Sequence, residues 1–332
     1  MTDVRLGLIG AGAVGLLHSQ AAAAVPGVSV SAVCDIDADT ARDVAGSLDA
    51  TSFTDHRDLI GSGLVDAVVI NTPHALHTHI VTACAAAGLH VLVEKPMATG
   101  SEDCALMERA CLDAGTVLFV GHIQHYLPPM TAAKAALDAG VLGAPLAVTD
   151  WRSTDYRRGS RPSWFFDPAV SGGGVFINIG THCVDRLMWL TGRRVVAAHA
   201  DATHRGDIGV ETDVVARLEL AGGLVGHITV TSALLPPRDE LTVIGERGTL
   251  RVARGSGAVL YPDDGSGPVQ LAKESPDDVA DAFRDQLAAF VAAVRGQEEP
   301  AVPGSYGRQV IQAVEGVYAS CASGTRVTVP VE

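Results

Sequence analysis

The stretch Val4-Arg5-Leu6-Gly7-Leu8-Ile9-Gly10-Ala11-Gly12-Ala13-Val14-Gly15 divides into an apolar run and a glycine-rich turn. Val4–Ile9 predicts a buried strand, and the small residues of Ala11–Ala24 predict a helix directly after it. Gly10, Gly12 and Gly15 stand at the glycine positions of G-x-G-x-x-G, in the strand-then-helix setting that gives the pattern its meaning. Gly10 permits the tight turn, Gly12 lets backbone approach a pyrophosphate, and Gly15 allows helix to pack closely on strand. The N–H groups and the positive dipole end of the helix then face the phosphates, with Ala11, Ala13 and Val14 completing the predicted cofactor loop.

Working outward, Val28–Cys34 predicts a second strand, and it ends on Asp35, twenty residues beyond Gly15. An acid there can accept hydrogen bonds from ribose hydroxyls. Asp35 and nearby Asp37 repel a 2′-phosphate and no Arg follows Asp35 directly, so the expected cofactor is NAD rather than NADP. Ala38–Leu48 predicts a helix. Strands follow at Val65–Ile70, Val91–Val93 and Val117–Val120, with helices at about His74–Ala87 and Glu102–Ala114. Strands that are apolar throughout and separated by helices imply a parallel sheet covered on both faces, the doubly wound α/β pattern.

Past Pro128 and Pro129 the pattern changes. A short helix, Met130–Ala139, gives way to strand-rich sequence from Ala144, with one helix inserted at about Gly174–Leu190. Runs at Val195–Thr203, Val210–Leu220, Leu224–Ser232, Glu240–Ile244, Thr249–Ala253 and Ala258–Tyr261 follow one another through short turns and predict an open, mainly antiparallel sheet. Helices at about Pro276–Arg295 and Tyr306–Ala322 close the chain. The expected division is an α/β domain at 1–123 and an α+β domain at 124–332.

At 332 residues the chain has room for about two domains. With 47% apolar residues it can bury a large core. Lys plus Arg number 24 and Asp plus Glu 38, a formal net charge of −14 that disfavours nucleic acid and anionic lipid as partners. No apolar run is long enough to span a membrane, and no secretory leader pattern is present, so a cytoplasmic location is expected. The six cysteines form no C-x-x-C pair and match no zinc spacing, so they read as reduced thiols. His74, His77 and His79 have no matching carboxylates or thiolates, and no metal is expected.

Two further stretches carry chemistry. Glu94-Lys95-Pro96 follows the Val91–Val93 strand, where the ligand crevice of a parallel sheet lies, although a lysine after a strand is often only solvated. Gly172-Gly173-Gly174 precedes an apolar helix on which Asn178, His182 and Asp185 fall at i, i+4 and i+7 and share one face. These polar groups read either as a satisfied core network or as a site.

Together these pieces resemble the Gfo/Idh/MocA family, named for glucose–fructose oxidoreductase, inositol dehydrogenase and a rhizopine catabolism protein. The resemblance covers nearly the whole chain. It includes Gly10–Gly15, Asp35, Asn71-Thr72-Pro73-His74 with His77, and the run Gly88–Pro96. It continues through Gly121–Tyr126, Trp164, Asp167-Pro168 and Ser171–Gly174 to Asn178, Gly180, His182 and Asp185. It implies an NAD(P)-dependent dehydrogenase of sugars or cyclic polyols, with a Rossmann domain and a second domain whose sheet forms the face of a homodimer or homotetramer. By the same resemblance Asn71, Thr72, Pro73, His77, Glu94 and Lys95 join the cofactor site, Lys95 and His182 handle the proton, and Lys95–Pro96 is cis.

Within that frame His182 is the expected base, an imidazole of ordinary pKa about 6.5 suiting the task. Lys95 is expected to stabilise the alkoxide, Asp185 to hold the imidazole, and Asn178 to orient a neighbouring hydroxyl. Tyr126, Arg157 and Trp164 are further expected substrate contacts. Asp155, Arg157, Arg158 and Arg161 form either an anion-binding segment or a solvated basic loop. The chain departs from the family at Asn178, where inositol-dehydrogenase-like members have Asp, and at His125-Tyr126, where many have Arg-Phe. Two other activities of such folds stay open, a redox-neutral NAD-dependent glycosidase and a non-catalytic NAD sensor. The presence of both Lys95 and His182 argues against the sensor.

Overall fold

The computed structural model describes residues 3–232 and 237–330. The chain divides into two compact units, Met1–Ile123 with Val279–Arg308, and Gln124–Asp278 with Gln309–Glu332.

The first unit holds strands β1 (Val4–Ile9), β2 (Val28–Cys34), β3 (Thr51–Phe53), β4 (Ala67–Ile70), β5 (His90–Glu94) and β6 (Leu118–Gly121). Helices α1 (Ala13–Ala24), α2 (Ala38–Ser47), α3 (His56–Gly61), α4 (His77–Ala86) and α5 (Ser101–Ala114) alternate with them. The strands are all parallel, in the order β3-β2-β1-β4-β5-β6, the dinucleotide-binding arrangement. Leu6 and Leu8 of β1, all of β4 and Val91–Val93 of β5 are fully buried, as strands covered on both faces must be.

The sequence assigned everything after 123 to the second domain, whereas residues 279–308 group with the first unit. The reason is apolar packing. Phe290 meets Phe119 of β6 edge to ring at 5.9 Å, and Phe283 meets His18 of α1 at 4.9 Å. Val120 N–H donates to Val302 O, and Phe119 bridges to Pro303, so this segment also covers β6.

The second unit holds α6 (Pro128–Asp138), β7 (Pro145–Ser153), α7 (Pro168–Ser171), α8 (Thr181–Thr191), β8 (Val195–Thr203), β9 (Asp213–Leu220) and β10 (Val225–Thr231). It continues through β11 (Asp239–Gly245), β12 (Gly248–Ala253), β13 (Gly257–Pro262), β14 (Val269–Ala272) and β15 (Val327–Thr328). Helix α9 (Asp278–Val294) belongs almost wholly to the first unit, and α10 (Gly304–Ser323) runs from the first into the second. Nine strands form one sheet, β14-β13-β12-β11-β7-β10-β9-β8-β15. Its described pairs are antiparallel except β7 with β10, which run parallel from Ala147–Val225 to Ser153–Thr231. No helix among the described residues is long and apolar enough to cross a membrane.

Helix α8 is pinned to this sheet by charge. Arg186, 3% exposed, reaches Asp150 on β7 with Nε at 2.9 Å and Nη2 at 2.5 Å, and its Nη1 reaches Asp239 on β11 at 2.7 Å. Arg152 adds a second cation to Asp239 at 2.8 Å. Burial pushes the Asp239 carboxyl up, but the Arg186 and Arg152 charges outweigh it and bring it down to about 2. Removing the guanidinium strands the fully buried Asp150 carboxylate and leaves Asp239 to Arg152 alone. Arg186→Ala is therefore expected to cost about 3–5 kcal/mol of stability, read by denaturant unfolding. A cost near that of a surface change would show that the pair contributes little.

Candidate active site

The backbone requires glycine at positions 10 and 15 of this loop and leaves open space at position 12. Gly10 has φ +93°, and a Cβ there would sit 2.8 Å from the Asn71 carbonyl. At Gly15 a Cβ would meet the Gly10 oxygen at 2.3 Å, so only glycine lets α1 approach the turn. At Gly12 a Cβ would meet nothing within 4 Å, which leaves room above the backbone. Helix α1 begins at Ala13 with no side-chain cap, so its first N–H groups remain for an anion. Val14 lies exposed in the first turn. Asp35 Oδ2 accepts from Ala11 N–H at 2.8 Å and Oδ1 from Asp37 N–H at 3.0 Å, so this acid steadies the loop.

The loop after β4 completes this cradle. Asn71 Nδ2 donates to Gly10 O at 3.4 Å. Asn71 Oδ1 and Thr72 Oγ1 are buried with no hydrogen-bond partner among the described residues, a deficit that a bound dinucleotide can fill. Pro73 leads into a single 3₁₀ turn, His74–Leu76. His77 is fully buried. Its Nε2 faces Thr72 O at 2.9 Å, and its Nδ1 faces Pro96 O at 3.1 Å and Met97 O at 3.2 Å. It therefore clasps the Asn71–Pro73 loop to the turn after Lys95. Burial pushes this imidazole's pKa down against the pull of those carbonyls.

Glu94 ends β5 with a buried carboxylate. Its Oε1 pairs with His18 Nε2 on α1 at 2.9 Å, and its Oε2 accepts from Lys95 N–H at 3.3 Å. The Lys95–Pro96 peptide is cis. His18 was not among the residues expected from sequence. Its signal was there: a histidine one turn past Gly15, on the face of α1 that packs inward.

In the second unit the polar helix does not start as a regular one. Phe176–Gly180 forms a π-helical segment before α8. Such segments widen the backbone and recur at functional sites. Gly180 lets the Phe176 ring fold back, since a Cβ there would lie 2.4 Å from it. Asn178, His182 and Asp185 are all buried. Asp185 was expected beside His182, and its Oδ1 pairs with His125 Nε2 at 2.7 Å. His125 in turn stacks on Trp189 at 4.3 Å, nearly parallel. Tyr126 follows it, half-buried, at the end of a 3₁₀ turn.

Two residues absent from the sequence reading build this segment, Glu211 and Tyr318. Glu211 Oε2 accepts from Gly174 N–H at 2.8 Å, and Oε1 from Phe176 N–H at 2.9 Å and Tyr318 Oη at 2.8 Å. Tyr318 Oη itself accepts from Ile177 N–H at 3.0 Å. A Cβ at Gly173 would lie 2.3 Å from Tyr318 Oη, and one at Gly174 2.2 Å from Glu211 O. These approaches explain the glycines. Arg157 is exposed and held by Asp155 at 2.7 and 2.8 Å. Trp164 is half-buried and stacks on Phe165 at 3.8 Å.

Strand order, glycine loop and Asp35 are those of a dinucleotide-binding domain. Residues 4–122 match the profile described as Oxidoreductase family, NAD-binding Rossmann fold, and residues 130–251 match the GFO/IDH/MocA C-terminal domain. Inositol 2-dehydrogenase 1 of Saccharopolyspora erythraea is 30% identical, covering 89% of this chain and 87% of its own. The rhizopine catabolism protein MocA of Rhizobium meliloti is also 30% identical, over 89% of this chain and 88% of its own. Among solved structures, the WlbA dehydrogenase of Bordetella pertussis, in complex with NADH and UDP-GlcNAcA, aligns at TM-score 0.86 and 28% identity, covering 100% of this chain and 99% of its own. The chain belongs to the GFO/IDH/MocA family of oxidoreductases, and its cofactor is NAD.

The glycines make a separable prediction. Gly12→Ala is expected to leave the melting temperature unchanged and to weaken NAD about tenfold, or ~1.4 kcal/mol by titration calorimetry. Gly15→Ala drives a methyl into a backbone oxygen, and is expected to lower stability by roughly 1–3 kcal/mol. Equal loss of stability in both would contradict the assignment of Gly12 to the ligand.

Proposed function

We propose that the protein oxidises a secondary or anomeric hydroxyl of a sugar or cyclic polyol. NAD, when bound, supplies the hydride acceptor. His182 takes the hydroxyl proton, Lys95 stabilises the developing alkoxide and shares in moving that proton, and Asn178 orients a neighbouring hydroxyl as donor and acceptor. Tyr126 and Trp164 contact the substrate in this reading. The observation that carries it is the Glu94-Lys95-Pro96 turn, where a buried carboxylate and a buried histidine fix the backbone on both sides of one lysine. A backbone held on both sides of one lysine is what a preorganised site requires. The relatives named for inositol and rhizopine catabolism support the substrate class. A cytoplasmic location goes with this reading, supported by six free cysteines, five of them buried.

The test is NADH formation with a panel of inositols, aldoses, anhydrosugars and sugar phosphates. His182→Ala is expected to lower turnover by roughly 10²–10⁴-fold while NAD affinity stays unchanged, and Lys95→Ala to be at least as damaging. Full turnover in either variant removes that residue from the role. Redox-neutral cleavage of an aryl glycoside without net NADH would move the reading to the glycosidase.

We also propose that the nine-stranded sheet pairs two copies of the chain. Its register places Trp151, Thr229 and Val215 across three neighbouring strands, and Trp151 is 43% and Val215 54% exposed. Exposed apolar groups in line on a sheet face mark an interaction surface. Val215→Glu combined with Trp151→Glu is expected to give monomer by light scattering. Unchanged mass would place the interface elsewhere or exclude an oligomer.

A further inference from the structure

Arg157, Arg158 and Arg161 lie close together in sequence, and the structure separates them. Arg157 is held bidentately by Asp155. Arg158 is exposed and donates to the Asp207 carbonyl at 3.1 Å. Arg161 is different. It is half-buried, its guanidinium lies 5.0 Å from the centre of the Tyr156 ring and 5.5 Å from that of Phe165, and Nη2 donates to a neutral group, Thr154 Oγ1, at 3.1 Å. Its Nε is buried with no hydrogen-bond partner among the described residues.

The acids facing this arginine are already engaged. Asp155 is held by Arg157, and Glu211, which acts on the Tyr156 phenol, is spent on Gly174, Phe176 and Tyr318. Burial of this guanidinium outweighs the pull of Asp155, the acid that acts on it, so its desolvation cost is offset only in part. Arg161 also adjoins the expected substrate groups. Tyr156, the ring beneath it, interacts with the Asn178 side chain, and Phe165, the other ring, stacks on Trp164.

We propose that Arg161 reads a carboxylate on the substrate, so that the protein acts on an acidic sugar or polyol. This rests on the dehydrogenase reading above and narrows its substrate class. A planar guanidinium fork matches a carboxylate bidentately, and here Nη2 has only a neutral acceptor and Nε has none among the described residues. A carboxylate is favoured over a phosphate because the two neighbouring arginines are committed elsewhere, leaving one cation for a single negative charge. The apolar face of the sugar ring rests on Trp164.

The experiment uses the full chain with NAD and sugar pairs differing only in a carboxylate, D-glucuronate with D-glucose and D-galacturonate with D-galactose. The readouts are kcat/KM for NADH formation and calorimetric binding to the NADH-loaded protein. The acid of each pair is expected to be preferred by about 10–100-fold. Arg161→Gln is expected to bring that ratio near one through KM, and Arg161→Lys to keep part of it. Equal use of both members by the unaltered protein overturns the proposal whether or not the variants fold, as does preference for a sugar phosphate over both. If no sugar is oxidised yet the acids bind and Arg161→Gln abolishes binding, the role of Arg161 stands and the dehydrogenase reading fails.

Discussion

The carboxylate of Glu94 is the constraint on which the nucleotide-binding unit turns. A buried carboxylate is costly unless its lone pairs find donors. Glu94 finds one on α1, the helix that opens behind the glycine loop, and another on the backbone of Lys95. One side chain thus ties the helix behind the glycine loop to the turn that carries the lysine. His77 closes the far side of the same turn against the loop after β4. The lysine is held by what its neighbours cannot afford to lose.

The second unit repeats the device with different residues. Glu211 gathers two backbone N–H groups and a phenol, and so anchors the chain where it enters the polar helix. The carboxylate and Tyr318 must come against the backbone, and a side chain at Gly173 or Gly174 would prevent it. Below, Arg186 fixes the body of α8 to two strands of the sheet. His182 stands on the helical turn between these anchors, held at one end by an acid reaching backbone and at the other by a base reaching acids.

Much of this was legible in the residues. The Val4–Ile9 and Val28–Cys34 strands, the glycine loop and the acid at 35 announce the first sheet because each is local and strongly patterned. Thr51–Phe53 and His56–Gly61 escaped notice because three and six residues cannot show a period. The placement of 279–308 escaped it for a different reason. An apolar face at helical spacing says that a helix is buried, and only the partners, Phe119 and His18, say against what. The supports of the site were the least legible of all. His18, Glu211 and Tyr318 lie 76, 37 and 141 residues from the groups they hold, and nothing in a lone histidine, glutamate or tyrosine points across such a gap.

The π-helical segment shows what those long-range supports achieve. Left to local preference, Val175–Leu190 would run as one α-helix, with Asn178 and His182 about one turn apart in an α-helical ladder. Instead the Glu211 clamp holds the chain where it begins, Arg186 holds the helix beyond, and Phe176–Gly180 between them is π-helical. In that stretch Gly180 makes room for the Phe176 ring, and Thr181 Oγ1 donates to Ile177 O at 2.5 Å. The irregularity falls on the five residues that contain Asn178, and Thr181 alone separates them from His182. Tertiary anchors, rather than the helix's own hydrogen bonds, therefore decide where these two side chains stand, which is how an apolar helix comes to carry polar groups in fixed positions.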